Sequence, residues 1–164
     1  MNTRTESRPM RDDELLITRE FAAPLSLVWR LWEDRDHMRR WWGPEAFHVV
    51  SLDADFRPGG KWRVHMTNGQ YGESHSHGEF KSITPRQEIV FSFAWDEGSG
   101  DPTETLVTVT FDEKDGVTRQ HFHQTPFSSV ENRDGHIVGW NSLFNKEQRY
   151  AEALARNAPP PAAD

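Results

Sequence analysis

The chain has 164 residues, with seven Trp, ten Phe, eight His, no Cys and a formal charge of −7. One domain with a real core fits that length, and the lack of cysteine excludes disulfides, thiolate metal sites and a Cys nucleophile while suiting a reducing cytoplasm. Scattered Lys and Arg within an acidic balance argue against nucleic acid, and no run approaches the about 18 apolar residues of a membrane-crossing helix.

Residues 1–13 are polar and charged, without the apolar segment of a signal peptide. With the Pro-Ala tail, residues 158–164, they read as disordered ends around one domain over residues 14–157. Leu15 to Phe21 reads as the first strand. Pro24 suits a first helical turn, and Leu25, Val28, Trp29 and Trp32 follow at helical spacing. A second short helix covers Asp36 to Trp41 and stops at Gly43-Pro44.

Six strand-like segments come next: Phe47–Phe56, Lys61–Thr67, Gly72–Ile83, Glu88–Trp95, Thr103–Phe111 and Val117–Thr125. Turn residues separate them, among them Pro58-Gly59-Gly60, Asn68-Gly69, Pro85 and Lys114-Asp115-Gly116. Ser128 and Glu131 have capping-box spacing, so a long helix is expected from there to about Arg156, with Ile137, Trp140, Phe144, Ala151 and Leu154 near one face.

The pattern is α+β: an antiparallel sheet long enough to curl, with the terminal helix over its concave face. Alternation separates the two faces. Trp62, Val64 and Met66 share one side of their strand, Ile89, Phe91, Phe93 and Trp95 share one of theirs, and Lys61, Arg63 and His65 face away.

Three sequence signatures stand out: Trp41-Trp42-Gly43-Pro44, Asp55-x-Arg57-Pro58-Gly59-Gly60-x-Trp62 and His136-x-x-Gly139-Trp140. With the order of elements, they resemble the activator of heat-shock chaperone ATPase homologue-like family. That family lies within the START-like, or SRPBCC, superfamily of the birch-pollen allergen. The resemblance spans about residues 15–155. It implies a helix-grip fold: a curved seven-stranded antiparallel sheet around a long C-terminal helix, with two short helices between the first and second strands. It also implies a cavity between sheet and helix. Members of the superfamily bind lipids, polyketides and other hydrophobic molecules, and some are enzymes.

The candidate cavity lining is Trp42, Trp62, Met66, Phe80, Phe91, Phe93, Trp95, Gln120, Phe122 and Trp140. Aromatic walls stack on flat apolar ligands and Met adapts to their shape, although the same rings can simply fill a core. Of Trp41 and Trp42, one is expected to anchor the helix end and the other to gate the pocket. By parity Ser76, Ser82, Gln120 and Gln124 are the polar groups that reach inward. The Asp53, Asp55 and Arg57 group reads as a turn brace rather than a catalytic site.

His65 is expected opposite His75, and His77, His121 and His123 share outward parity, which describes solvated histidines rather than a metal centre. No GxSxG, P-loop or dinucleotide fingerprint occurs, and no catalytic residue, metal or cofactor is assigned. The expected function is therefore binding of a small hydrophobic or aromatic molecule, with a homodimer left open and neither nucleic acid nor membrane insertion involved. A cyclase or hydrolase using the same cavity is the weaker alternative, since parity places no titratable pair inside. A chaperone-ATPase activator is weaker still, because residues 1–13 are too short for an added interaction domain.

Overall fold

In the computed structural model, residues 10–70 and 72–157 are described. The expected disordered ends fall outside them except for residues 10–13. Part of that stretch is tied down: Asp13 O accepts from Phe127 N at 2.8 Å and Arg11 O from Arg133 Nη1 at 2.9 Å.

Seven strands form one antiparallel sheet in the order β1-β7-β6-β5-β4-β3-β2. They are β1 (Leu15–Phe21), β2 (His48–Ala54), β3 (Lys61–Asn68), β4 (Gly72–Thr84), β5 (Glu88–Trp95), β6 (Thr105–Lys114) and β7 (Val117–Thr125). From β2 to β7 each strand pairs with its sequence neighbour. The first strand lies at the far edge instead, on β7, so the segment between β1 and β2 must cross the whole sheet. Two short helices make that crossing, α1 (Leu25–Glu33) and α2 (Arg35–Trp41). The curved sheet and the long helix α3 (Val130–Asn157) complete the helix-grip-like α+β architecture.

Local chemistry explains the junctions. Pro24 is the N-cap of α1, one residue ahead of the helix. Asp34 ends α1, and its side chain accepts from Asp36 N at 2.8 Å to start α2. At the corner between β2 and β3, Gly60 N donates to Arg57 O, and Phe80 N donates to Gly60 O. A Cβ on Gly60 would sit 1.9 Å from Asp55 O, so only glycine fits. Arg57 Nε binds Asp55 Oδ2 at 2.8 Å in the open, the brace expected from sequence.

Two local expectations change. The cap of α3 is Ser129, whose Oγ accepts from Asn132 N at 3.0 Å; the helix begins one residue later than the Ser128–Glu131 spacing suggested, and Ser128 binds Asp101 instead. Ser82 is exposed, because the β4–β5 register shifts between Phe80 and Ser82 and reverses the parity beyond.

The core lies between sheet and α3. Trp32, Trp41, Phe122 and Phe144 are almost wholly buried there. Each 150–250 Å² ring is a large contribution in a chain short of aliphatics.

Candidate functional site: a pocket under the first half of the terminal helix

A pocket of about 360 Å³ opens between α3 and strands β3–β5, near the lower end of the range for small-molecule sites, about 300–1,000 Å³. The sheet supplies Met66, Ser76, Phe93 and Trp95; the loop after α2 supplies Trp42, Gly43 and Pro44. From α3 come Asn132, Gly135, His136, Gly139, Trp140 and Leu143, with exposed Glu131 at the mouth.

The loop wall is pinned. Gly43 has φ +89°, a conformation that lets the chain turn after Trp42. Lys146 Nζ donates to Trp42 O at 3.1 Å, and burial lowers the pKa of that lysine. Glu45 N donates to Ser142 Oγ at 2.8 Å, fastening the next stretch of loop to the same helix. Trp42 is 4% exposed and its ring lies 5.6 Å from that of Trp140. It is a fixed wall rather than a gate. Trp41 is the anchor, fully buried with its indole N–H on Leu31 O at 3.0 Å.

The opposite wall is set by hydrogen bonds between ring systems. His136 Nδ1 donates to Asn132 O at 2.8 Å, and His136 Nε2 accepts from the Trp95 indole at 3.0 Å. Both ring nitrogens are thus engaged in the neutral form. Burial lowers the histidine pKa, against smaller opposing effects of the Asn132 carbonyl and Asp101. Trp140 donates to Gln124 Oε1 at 2.7 Å, and Gln124 Nε2 donates to Thr105 Oγ1 at 2.8 Å. Ser76 differs. It is 1% exposed, lines the pocket, and its Oγ has no hydrogen-bond partner among the described residues.

Part of the helix side is bare. Gly135 and Gly139 are one helical turn apart, and a Cβ built on either meets nothing within 4 Å. Each glycine in a helix interior costs about 0.5–1 kcal/mol relative to Ala, so this face gives up stability and keeps space.

A family model described as activator of Hsp90 ATPase homolog 1-like protein, AHSA1, matches residues 22–152. The chain belongs to the AHSA1 family. Solved structures agree on the fold. The AHSA1 protein of Silicibacter pomeroyi is 27% identical, with a TM-score of 0.74, covering 83% of this chain and 95% of that one. A protein of Chromobacterium violaceum reaches a TM-score of 0.79 at 19% identity, covering 87% and 99%. One of Arthrobacter aurescens reaches 0.75 at 22% identity, covering 95% and 96%. No curated protein matches the chain. The family lies in the START-like superfamily to which the sequence signatures pointed.

On this AHSA1 scaffold the ten expected lining residues divide into three groups. Trp42, Met66, Phe93, Trp95 and Trp140 come together at the pocket. Trp62, Phe80 and Phe91 border a separate void of about 10 Å³, with the Trp62 indole on Ser92 O at 3.1 Å. Gln120 and Phe122 lie in the packed core, Phe122 behind Trp140 at 4.5 Å between ring centroids.

Glu147, which sequence reasoning missed, is fully buried on α3. Its Oε1 accepts from Gln120 Nε2 at 3.0 Å and its Oε2 from Trp32 Nε1 at 3.1 Å. Burial raises its pKa from the ordinary 4.5 to about 8, against the weaker pull of those bonds and of Arg19. It does not reach the pocket. The signal was its position, seven residues after Trp140 on the same helical face.

The strand histidines pair with carboxylates: His65 with Glu73, His77 with Asp96, His121 with Asp112 and His123 with Glu14. His65 faces His75 in register, as expected, and their rings stack at 4.2 Å. Among the described residues no group of three or more His, Asp and Glu is placed to hold a metal ion, and no helix is long and apolar enough to cross a membrane.

Proposed function

We propose that this protein binds a small hydrophobic or aromatic molecule in the pocket beneath the first half of α3, acting in the cytoplasm. The observation that carries the reading is an aromatic pocket of about 360 Å³ whose helical wall includes two glycines with open space where side chains would stand. Side chains there would close the space and strengthen the helix, and neither gain is taken. Lining by Trp42, Phe93, Trp95 and Trp140 supplies large, rigid contact area for a flat apolar ligand.

Catalysis has weaker support. A general acid or base needs a titratable group free at the wall. His136 has both nitrogens engaged, and Glu147 is held in the core by Trp32 and Gln120. Activation of a chaperone ATPase, which the family description names, calls for a protein-docking surface, whereas the space under α3 is a recess.

The test is native mass spectrometry together with tryptophan fluorescence, titrating panels of aromatic metabolites, polyketides and fatty acids. Stoichiometric binding that quenches fluorescence in the wild type, and is lost in Trp140→Ala, is the expected result. Binding unchanged in Trp140→Ala would place the ligand elsewhere and end the proposal.

A further inference from the structure

We infer that the pocket selects an uncharged, flat ring system carrying one hydroxyl or carbonyl group, held by Ser76 Oγ. This rests on the binding function proposed above and specifies the ligand class for the same site. Ser76 is placed by register: it faces Val64 on β3 and Trp95 on β5, in the middle of the sheet wall. A buried hydroxyl without a partner has lost its hydration with nothing in return. The two polar rings of the pocket are already committed elsewhere. The Trp95 indole donates to His136, and the His136 ring is committed at both nitrogens. A ligand hydroxyl or carbonyl placed at Ser76 Oγ supplies the missing partner.

Charge is selected against. Among the described residues no Lys or Arg lines the pocket, burial lowers the pKa of His136 and so favours its neutral form, and the charged group at the mouth is Glu131. An anionic ligand would lose its hydration and meet no counter-charge. Shape is selected by the glycines. The bare stretch of α3 at Gly135 and Gly139 presents a smooth backbone surface opposite Phe93 and Trp95, which suits a ring lying face-on.

Three probes of one skeleton test this: 2-naphthol, naphthalene and 2-naphthoate, with dissociation constants from ligand-observed NMR on the full chain. The wild type is expected to bind 2-naphthol about tenfold tighter than naphthalene, one hydrogen bond's worth, and 2-naphthoate most weakly. Ser76→Ala is expected to bind naphthalene at least as well as 2-naphthol, with unchanged or raised thermal stability. Ser76→Cys, which keeps the volume with a weaker donor, should be intermediate and covers a folding failure of the alanine variant. Gly139→Leu should abolish binding of all three.

Equal wild-type affinity for 2-naphthol and naphthalene overturns the Ser76 assignment and leaves the binding function standing. A naphthol preference that persists in both Ser76 variants does the same. Tightest binding by 2-naphthoate overturns the selection for an uncharged ligand. Failure of all three probes, or binding that survives Gly139→Leu, overturns the binding function as well.

Discussion

The two halves of α3 face the same sheet and end up with opposite interiors. From Val130 to Leu143 the helix presents Gly135, His136, Gly139 and Trp140 to a pocket, with hydrogen bonds that lock its walls and leave a hollow. From Phe144 to Asn157 it presents Phe144, Glu147 and Ala151, all fully buried. Both halves embed polar groups among aromatic rings. In the second half the polar atoms satisfy one another, whereas in the first Ser76 Oγ is left over. Burial of polarity alone therefore does not mark a site; polarity left unmatched beside open space does.

The largest test of that contrast is the pH dependence of the closed half. Glu147 binds its proton more tightly in the folded chain, with a pKa of about 8 against its ordinary 4.5. Its contribution is complete below pH 4.5 and is lost as pH rises towards 8, because the unfolded chain ionises while the folded one must stay protonated or bury a charge. Glu147→Gln keeps a neutral acceptor and removes the titration. Urea denaturation should show the two proteins nearly equal at about pH 5, and the variant ahead by up to about 4 kcal/mol near pH 8. Affinity for 2-naphthol should not change, since Glu147 does not line the pocket. A wild-type-to-variant difference that is flat with pH would mean this carboxyl is solvated, and that the second half is not closed.

Trp140 stands at the junction of the halves, lining the pocket while its indole closes the Gln124–Thr105 chain behind it. Trp140→Phe strands Gln124 Oε1 and should cost about 1–3 kcal/mol. Adding Gln124→Leu removes the stranded acceptor, so the double mutant should recover at least about 1 kcal/mol relative to additivity. Chemical denaturation of the four proteins measures it. Additive losses would show that the indole bond contributes nothing and that packing alone holds the wall.

Much of this molecule could be read from alternation. The bounds of β1, β5 and β7 match the sequence reading, because each is a run of alternating residues between clear turn signals. Ser76 followed from parity with Phe80 for the same reason. Ser82 did not, since a bulge is one extra residue and leaves no periodic trace. The helix was read for its apolar residues, which found Trp140 and Phe144, used His136 and Gly139 only as part of a family signature, and passed over Gly135 and Glu147. Gly139 follows His136 by three and Gly135 by four, and Glu147 follows Trp140 by seven, so all of them share or adjoin one face. Whether a ring fills the core or lines a pocket is decided by neighbours from other strands. Trp62 and Trp95 have the same parity character and different surroundings.

The smallest effect is the most discriminating, because one methyl group should stabilise both halves of the helix and weaken binding only in the first. Gly135 and Gly139 have ordinary helical backbones and open space where a Cβ would go. Gly135→Ala and Gly139→Ala should each stabilise by about 0.5–1 kcal/mol, through lower entropy of the unfolded chain and better helix propensity. That corresponds to about 2–4 °C in Tm per kcal/mol for a domain of this size. Ala151, fully buried in the second half, already carries that methyl. Ala151→Gly loses propensity and leaves a gap among packed neighbours, for a loss of about 1–2 kcal/mol. Binding of 2-naphthol should weaken in the two stabilised variants and be retained in the destabilised one, which separates pocket volume from fold stability. Calorimetry for Tm and NMR titration for affinity check both. If the Gly→Ala changes lower Tm, a neighbour already occupies that space, and the first half of the helix is as closed as the second.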